Sequence, residues 1–405
     1  MQFNFNIQND GLSQPMKVMF VTHNYIRFKG DYAGVFLHLL ARKLGNFGIE
    51  VTVIAPHDAA MPEFEIIDGI KIYRFRYGDD NHETLAYRGD MDRQIMRNPL
   101  KIFRLIKFLR SAYKSACSIV ETQNIRIISI HWLVPNGIVG YFLKRHYGNK
   151  IDLFISSHGT DIRLLKKWPI IYYFFKPIVR RAKYWTVVSN FLKTWVESHY
   201  KSVSDRLRVI PLPNDESVFS RDSEISKEPT LIVAISRLTS QKRLPVLLRA
   251  IKMASADLPE IRLEIYGAGP ERAKLVGLIT ELGLEGRARL FDPLPQEELR
   301  KIYNRASIVV LNSAEEGFGL ALTEAMLCRT AVIGTISGGI TDIIDDNKTG
   351  LLVPLDDDKK LAEAIIKLIK DNRLCAQLAL NGYNKALENF SSASSAKRYA
   401  ALFRA

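Results

Sequence analysis

The chain has 405 residues, with 57 Lys and Arg against 43 Asp and Glu and a formal net charge of +14. That length allows two domains with separate cores, and a composition of 47% hydrophobic and 25% charged residues without short repeats excludes disordered, collagen-like and solenoid classes. Cys117, Cys328 and Cys375 lie far apart and outside any CxxC pattern, which argues against disulfides and zinc and for a reducing compartment.

The excess charge is local. Residues 101–200 carry 17 Lys and Arg against 4 Asp and Glu, so that stretch holds nearly all of it. Such an asymmetry predicts a specific anionic partner. Residues 1–15, MQFNFNIQNDGLSQP, have neither a basic nor an apolar region of the signal-peptide kind and read as a flexible leader. The apolar run at 170–175 is far short of the ~20 residues that a membrane-spanning helix needs. A cytoplasmic protein is expected.

In chain order, strand-like runs occur at 17–22 (KVMFVT), 51–55 and 70–75, with a helix at 35–46 and a polar connection to about Arg97. Gly34 stands at that helix start, where a loop can meet a ligand. Residues 99–119, PLKIFRLIKFLRSAYKSACSI, place Lys101, Arg104, Lys107, Arg110 and Lys114 at three- and four-residue intervals among Ile102, Phe103, Ile106 and Leu109. This predicts an amphipathic helix with an all-cationic polar face. The stretch 166–183, KKWPIIYYFFKPIVRRAK, repeats the mixture. Together the two predict attraction to an anionic membrane surface, so that the protein is peripheral on the cytoplasmic face.

Further strands are expected at 126–132, 151–157, 184–188 and 207–211, with a helix at 135–146 and another capped by Ser189 and ending near Tyr200. A polar stretch from Pro211 to about Pro229 reads as an interdomain linker. It divides an N-terminal domain, 16–213, from a C-terminal one, 214–389. In the second half strands at 231–235, 262–266, 289–291, 308–311, 331–334 and 351–353 alternate with helices near 243–256, 270–282, 296–305, 319–328 and 358–371. Helices at 373–389 and 392–404 complete the chain. Alternation of this kind predicts two doubly wound, Rossmann-like α/β domains, with ligands held in a cleft at the strand C-termini.

The notable residues fall just after strands. In the first half these are His131 and Trp132, then His158 and Asp161 within HGTD. In the second they are Arg237 and Lys242 in SRLTSQK, Gly267 and Gly269, and the unit 313–343, SAEEGFGLALTEAMLCRTAVIGTISGGITDI. Glycines at a strand-to-helix turn let backbone N–H groups approach a phosphate at the positive helix end. Glu316 and Glu324 can accept hydrogen bonds from sugar or ribose hydroxyls. Arg237 and Lys242 suit a diphosphate.

The motifs S-R-L-x-x-x-K (236–242), E-G-F-G-L…E-A-M (316–326), V-I-G-T-x-x-G-G-I-x-D (332–342) and T-G-L-L-V-P (349–354) resemble those of glycosyltransferase family 4, retaining enzymes of the GT-B fold. The resemblance covers most of 17–405. It implies transfer of a sugar from a nucleoside-diphosphate donor to a glycan or lipid-linked acceptor in surface polysaccharide or glycolipid synthesis, and a final helix, 390–405, packed back on the N-terminal domain. By that likeness Arg237 and Lys242 hold the diphosphate, Glu316 the transferred sugar and Glu324 the ribose. The amides of Gly317, Phe318, Gly319 and Leu320 cradle sugar and phosphate. Gly267 and Leu294 belong to the nucleotide site, and Gly34 stands where the family keeps paired glycines, the first being Ala33 here. His158 acts beside the sugar by side chain or carbonyl, and Arg237, Lys242, Glu316 and His158 form the catalytic set. Asp161 either orients His158 or binds acceptor, and His131 and Trp132 are acceptor-side candidates whose alternative is a packing role.

D-x-D letters occur at Asp90–Asp92 and Asp356–Asp358, but the first lies in a polar stretch and the second begins a helix, so no metal and no cofactor is expected. Two other readings are a GT-B sugar-nucleotide epimerase or hydrolase and a non-enzymatic polyanion binder. No nucleic-acid motif supports the latter.

Overall fold

A strand covered by helices on both sides is apolar at every position, because successive side chains face opposite layers. The first strand, β1 (Met16–Val21), is buried through its last four residues. After it come α1 (Val35–Gly45), β2 (Ile49–Pro56), β3 (Phe64–Ile67), β4 (Ile70–Phe75), α2 (Met91–Arg97), α3 (Lys101–Gln123) and β5 (Ile127–His131). Then follow α4 (Leu133–Tyr147), β6 (Asp152–Ser157), α5 (Thr160–Lys167), α6 (Pro169–Val179), β7 (Tyr184–Val187), α7 (Asn190–His199) and β8 (Leu207–Val209). The computed structural model describes residues 15–31, 33–59, 61–87 and 91–405. The leader expected at 1–15, apart from Pro15, lies outside the described residues, as does Asp90.

These strands form one sheet in the order β3-β4-β2-β1-β5-β6-β7-β8, parallel except for β3 against β4. The second half runs β9 (Glu228–Ile235), α8 (Leu244–Ala254), β10 (Arg262–Tyr266), α9 (Arg272–Glu281), β11 (Ala288–Phe291), α10 (Gln296–Arg305), β12 (Ala306–Leu311) and α11 (Leu320–Leu327). It continues through β13 (Ala331–Thr335), α12 (Ile340–Ile343), β14 (Leu351–Val353), α13 (Asp358–Lys370), α14 (Asn372–Asn389) and α15 (Ser392–Arg404). Its sheet is ordered β11-β10-β9-β12-β13-β14. In β9, Ile232 and Ala234 face Leu247 of α8 and Ile365 of α13, while Leu231 and Val233 face the α10–α11 side with Tyr303 and Met326.

Strand order reverses between β1 and β5 in the first sheet and between β9 and β12 in the second. At such points adjacent loops diverge to opposite faces and leave a crevice. The loops bearing His131, Arg237 and Glu316 all lie there.

Several elements differ from expectation. β3 is an edge strand joined to β4 through Asp68 and Gly69, both at positive φ. α2 occupies what reads as a polar connection. In α3 the buried face is Phe108, Ala112, Ala116, Ile119 and Val120, which leaves Phe103 and Ile106 exposed beside the cations. The expected linker is not a free connection either. Phe219 is fully buried, and Asn214 donates its backbone N–H to the Phe390 carbonyl at 3.0 Å. From there α15 crosses to the first domain, where Ala396, Tyr399 and Phe403 pack with Val18, Phe20 and Leu37.

Candidate active site

The unit after β12 is held by its own side chains. The Ser313 N–H donates to Thr335 Oγ1 (3.1 Å), whose hydroxyl donates to the Ser313 carbonyl (2.8 Å). Ser313 Oγ donates to Glu316 Oε2 at 3.0 Å, and Lys242 Nζ donates to the same oxygen. Burial alone would raise the Glu316 pKa, but Lys242, Ser313 and Arg237 outweigh it and hold the carboxyl below its ordinary value. Gly319 starts α11 at φ 121°, a conformation that disfavours other residues. Gly338 and Gly339 support the turn from behind. A Cβ on Gly338 would lie 2.2 Å from the Glu316 carbonyl oxygen, and one on Gly339 2.5 Å from that of Gly317. Glu324, on α11, accepts from Tyr303 Oη at 2.7 Å, and burial pushes its pKa up to about 7.

The first domain closes the other side. Ser189 Oγ donates to the Gly317 carbonyl (2.8 Å), Asn190 N–H donates to Asp342, and Arg163 Nη1 donates to Gln241 Oε1 (3.0 Å). Between the walls lies a cavity of about 400 Å³ whose lining includes His158, Arg237, Lys242, Glu316, Gly317 and Glu324.

His158 is fixed from its own domain. Its Nε2 lies 3.1 Å from His131 Nδ1 with the rings 9° from coplanar, and Trp132 and Phe36 pack edge-on at 4.5 and 5.0 Å. Burial, then repulsion from His131 and His23, drives the His158 pKa well below its ordinary value, and burial alone lowers His131 to about 3 and His23 to about 4. The three rings are therefore neutral at physiological pH. His158 Nδ1 has no hydrogen-bond partner among the described residues.

Residues 33–217 match the profile of Glycosyltransferase Family 4, and residues 215–385 that of Glycosyl transferases group 1. A probable sucrose-phosphate synthase of Thermosipho melanesiensis is 30% identical over 91% of this chain and 90% of its own. The chain belongs to the family 4 glycosyltransferases. The N-acetyl-alpha-D-glucosaminyl L-malate synthase of Bacillus anthracis is 24% identical over 76% of this glycosyltransferase and 82% of its own length. Among solved structures, the sucrose-phosphate synthase of Thermosynechococcus elongatus superposes with a TM-score of 0.78 at 20% identity, covering 96% of this chain and 98% of that one. Anabaena Alr3699/HepE, solved with UDP and glucose, gives 0.71 at 18% identity, covering 96% and 99%. The two facing domains are thus the GT-B fold.

Of the residues expected at the donor side, Arg237, Lys242, Glu316, Gly317, Phe318, Gly319, Leu320 and Glu324 line the glycosyltransferase cavity. Gly34, Gly267 and Leu294 do not. Gly34 is required by its own chain, since a Cβ there would lie 2.6 Å from the Asn24 carbonyl oxygen. Likewise one on Gly267 would lie 1.9 Å from that of Ser236. Leu294 packs against the hydrophobic core.

For His131, Trp132 and Asp161 the acceptor-side alternative is corrected in favour of packing and of orienting His158. They are 0%, 7% and 1% exposed, which leaves His131 and Asp161 without surface for an acceptor and Trp132 with little. Asp161 accepts from the N–H groups of Leu133 (2.8 Å), His158 and Gly159 (both 3.2 Å), so it ties the turn after β5 to the turn after β6. Trp132, at φ 61°, is held in an unfavoured conformation by that tie.

Residues that reasoning from sequence missed are Tyr303, Ser189, Arg163 and Lys166. The only signal for the first two was a hydroxyl at a helix position or cap. The latter two follow HGTD at helical spacing, which is a usable one.

Proposed function

We propose that this enzyme moves a hexose from a nucleoside-diphosphate sugar to a glycan or lipid-linked acceptor with retention of anomeric configuration. The reading is carried by one observation: the Gly317–Leu320 turn opens α11 toward His158 across a cavity flanked by Arg237 and Lys242. A diphosphate fits that turn because free amides and the helix end favour an anion there. Arg237 and Lys242 then stabilise charge on the leaving phosphate. Among the described residues, the His, Asp and Glu group close enough for a cation is His57, Asp80 and Glu83, which does not line the cavity. We assign charge neutralisation to the two side chains, an assignment that activity abolished by a chelator and restored by manganese would overturn.

Glu316, ionised and already shared with Lys242 and Ser313, suits hydrogen bonding to sugar hydroxyls better than nucleophilic attack. Front-face transfer follows, with the acceptor proton passing to the leaving phosphate oxygen and the neutral His158 ring beside the developing positive charge. Binding of a panel of nucleotide sugars, followed by NMR of the product anomer, tests this. An inverted product, or a covalent sugar trapped on Glu316, would refute it.

The acceptor side supports a membrane location on the cytoplasmic face. α3, α4 and α6 are packed neighbours. With the adjoining Met96, Leu100 and Trp168 they carry ten of the 18 large exposed apolar side chains among the described residues, including Phe103, Phe142 and Phe174. Lys107 and Arg110 lie among them, the composition of an interfacial surface. No described helix is long and apolar enough to cross a membrane. Flotation with anionic liposomes, weakened by Lys107→Glu and Arg110→Glu, is the expected result. Absence of binding at low salt removes the membrane clause.

A further inference from the structure

The donor reading uses Arg237 and Lys242 and leaves the charge on the facing wall unexplained. Arg163 and Lys166 sit three residues apart on α5, hence on one face, and both line the cavity. The Arg163 backbone N–H is anchored on the Gly159 carbonyl at 2.9 Å, so its position is set by the same turn that carries His158. Lys166 Nζ stands 4.3 Å from the centre of the Phe191 ring and 6.0 Å from that of Trp195. Aromatic faces hold an ammonium without neutralising it.

Among the described residues no carboxylate pairs with Arg163, Lys166 or Arg237, whereas Lys242 is paired with Glu316. Arg237 is destabilised as a cation by desolvation first and then by Arg163; the Glu316 carboxylate offsets part of this, and Arg93 adds a weaker repulsion. Like charges gathered in a partly desolvated cleft cost free energy that a bound anion recovers. A donor diphosphate at the Gly317 turn answers to Arg237 and Lys242. The α5 pair then remains on the opposite wall, beside His158, where an acceptor must enter.

We propose that Arg163 and Lys166 form a subsite for a phosphate monoester carried by the acceptor. The proposal rests on the glycosyltransferase reading of the cavity and names the acceptor class for it. A guanidinium fork and an ammonium match a dianionic phosphate in charge and donor geometry. The phosphate belongs either to a free small molecule or to a lipid headgroup. α5 leads directly through Trp168 to the exposed Ile170 and Phe174 of α6, so a lipid chain could lie there while its phosphate reaches α5.

The test is calorimetric and uses the full chain. UDP and GDP are titrated first, and failure of both to bind would sink the donor reading. Glycerol 3-phosphate and its neutral parent, glycerol, are then titrated with and without saturating nucleotide, so the phosphate subsite is judged in either case. In a second arm, phosphatidylcholine vesicles containing phosphatidic acid are compared with vesicles of equal surface charge containing phosphatidylglycerol, which lacks a monoester.

Arg163→Gln and Lys166→Gln are each expected to weaken monoester binding by about ten- to a hundredfold, the effect of removing a charged hydrogen-bond donor. They should leave nucleotide affinity within about twofold, which also shows that the variants fold. Loss seen with glycerol 3-phosphate identifies a free acceptor. An advantage of phosphatidic acid over phosphatidylglycerol that vanishes in Arg163→Gln identifies a lipid one. Binding that is equal in wild type and both variants in both arms overturns the subsite, as does loss of nucleotide affinity with unchanged monoester binding.

Discussion

Glu324 offers a test of the site that needs no acceptor. Its pKa stands near 7 because burial penalises the carboxylate, against 4.5 for an unhindered glutamate. The folded pKa lies above the unfolded one, so the group costs nothing below pH 4.5 and its cost grows as pH rises through 7. At ~1.36 kcal/mol per unit, the full penalty above pH 8 is about 3 kcal/mol, and at pH 5 it is under about 1 kcal/mol. Glu324→Gln keeps an oxygen to accept from Tyr303 and removes the titration. The variant is therefore expected to lie within about 1 kcal/mol of wild type near pH 5 and to exceed it by roughly 3 kcal/mol at pH 8. For a domain of this size that is a thermal midpoint about 6–12 °C higher, read by circular dichroism without ligand. A stability difference that is the same at pH 5 and pH 8 would refute the reasoning. The same substitution should weaken nucleotide binding about five- to tenfold, because the ribose then loses a charged acceptor.

Nucleotide binding should also release a proton near pH 7, since ribose hydroxyls favour the ionised Glu324; the binding enthalpy should then vary with buffer ionisation enthalpy. Lys242→Ala leaves Glu316 half-buried with only the Ser313 hydrogen bond and the Arg237 charge, and should cost about 3 kcal/mol in denaturant unfolding along with most nucleotide affinity. Gly339→Ala drives a methyl against the Gly317 carbonyl and should lower kcat/KM by about a hundredfold while the far-UV spectrum stays native. In Glu324→Gln the rate should be flat between pH 5 and 8, because His158, His131 and His23 are neutral throughout; an inflection near 6.5 that disappears in His158→Ala would contradict this.

Much of the site was legible. Arg237, Lys242, Glu316 and Glu324 could be placed because each lies in the loop after a strand or in the helix that follows it, at a spacing that a parallel α/β sheet turns into one rim. Gly34 and Gly267 were read as ligand-facing, and the structure adds that their small size is demanded by neighbouring carbonyls of their own chain. Sequence left His131 and Asp161 open between acceptor contact and a supporting role, and burial behind His158, which they organise, decides for the latter. β3 was missed although Asp68-Gly69 between apolar runs is a hairpin signal, since its partly exposed strand lacks a continuous apolar pattern.

The sequence by itself determined the alternation of strand and helix, the two-domain count and the glycine turn before α11, because periodicity and local backbone preference act within a dozen residues. The tertiary structure alone decided which wall faces which. Ser189 meeting Gly317, Tyr303 meeting Glu324, and Arg163 and Lys166 facing Arg237 join residues 21 to 128 positions apart. Such contacts depend on strand order and domain docking, which no local pattern encodes.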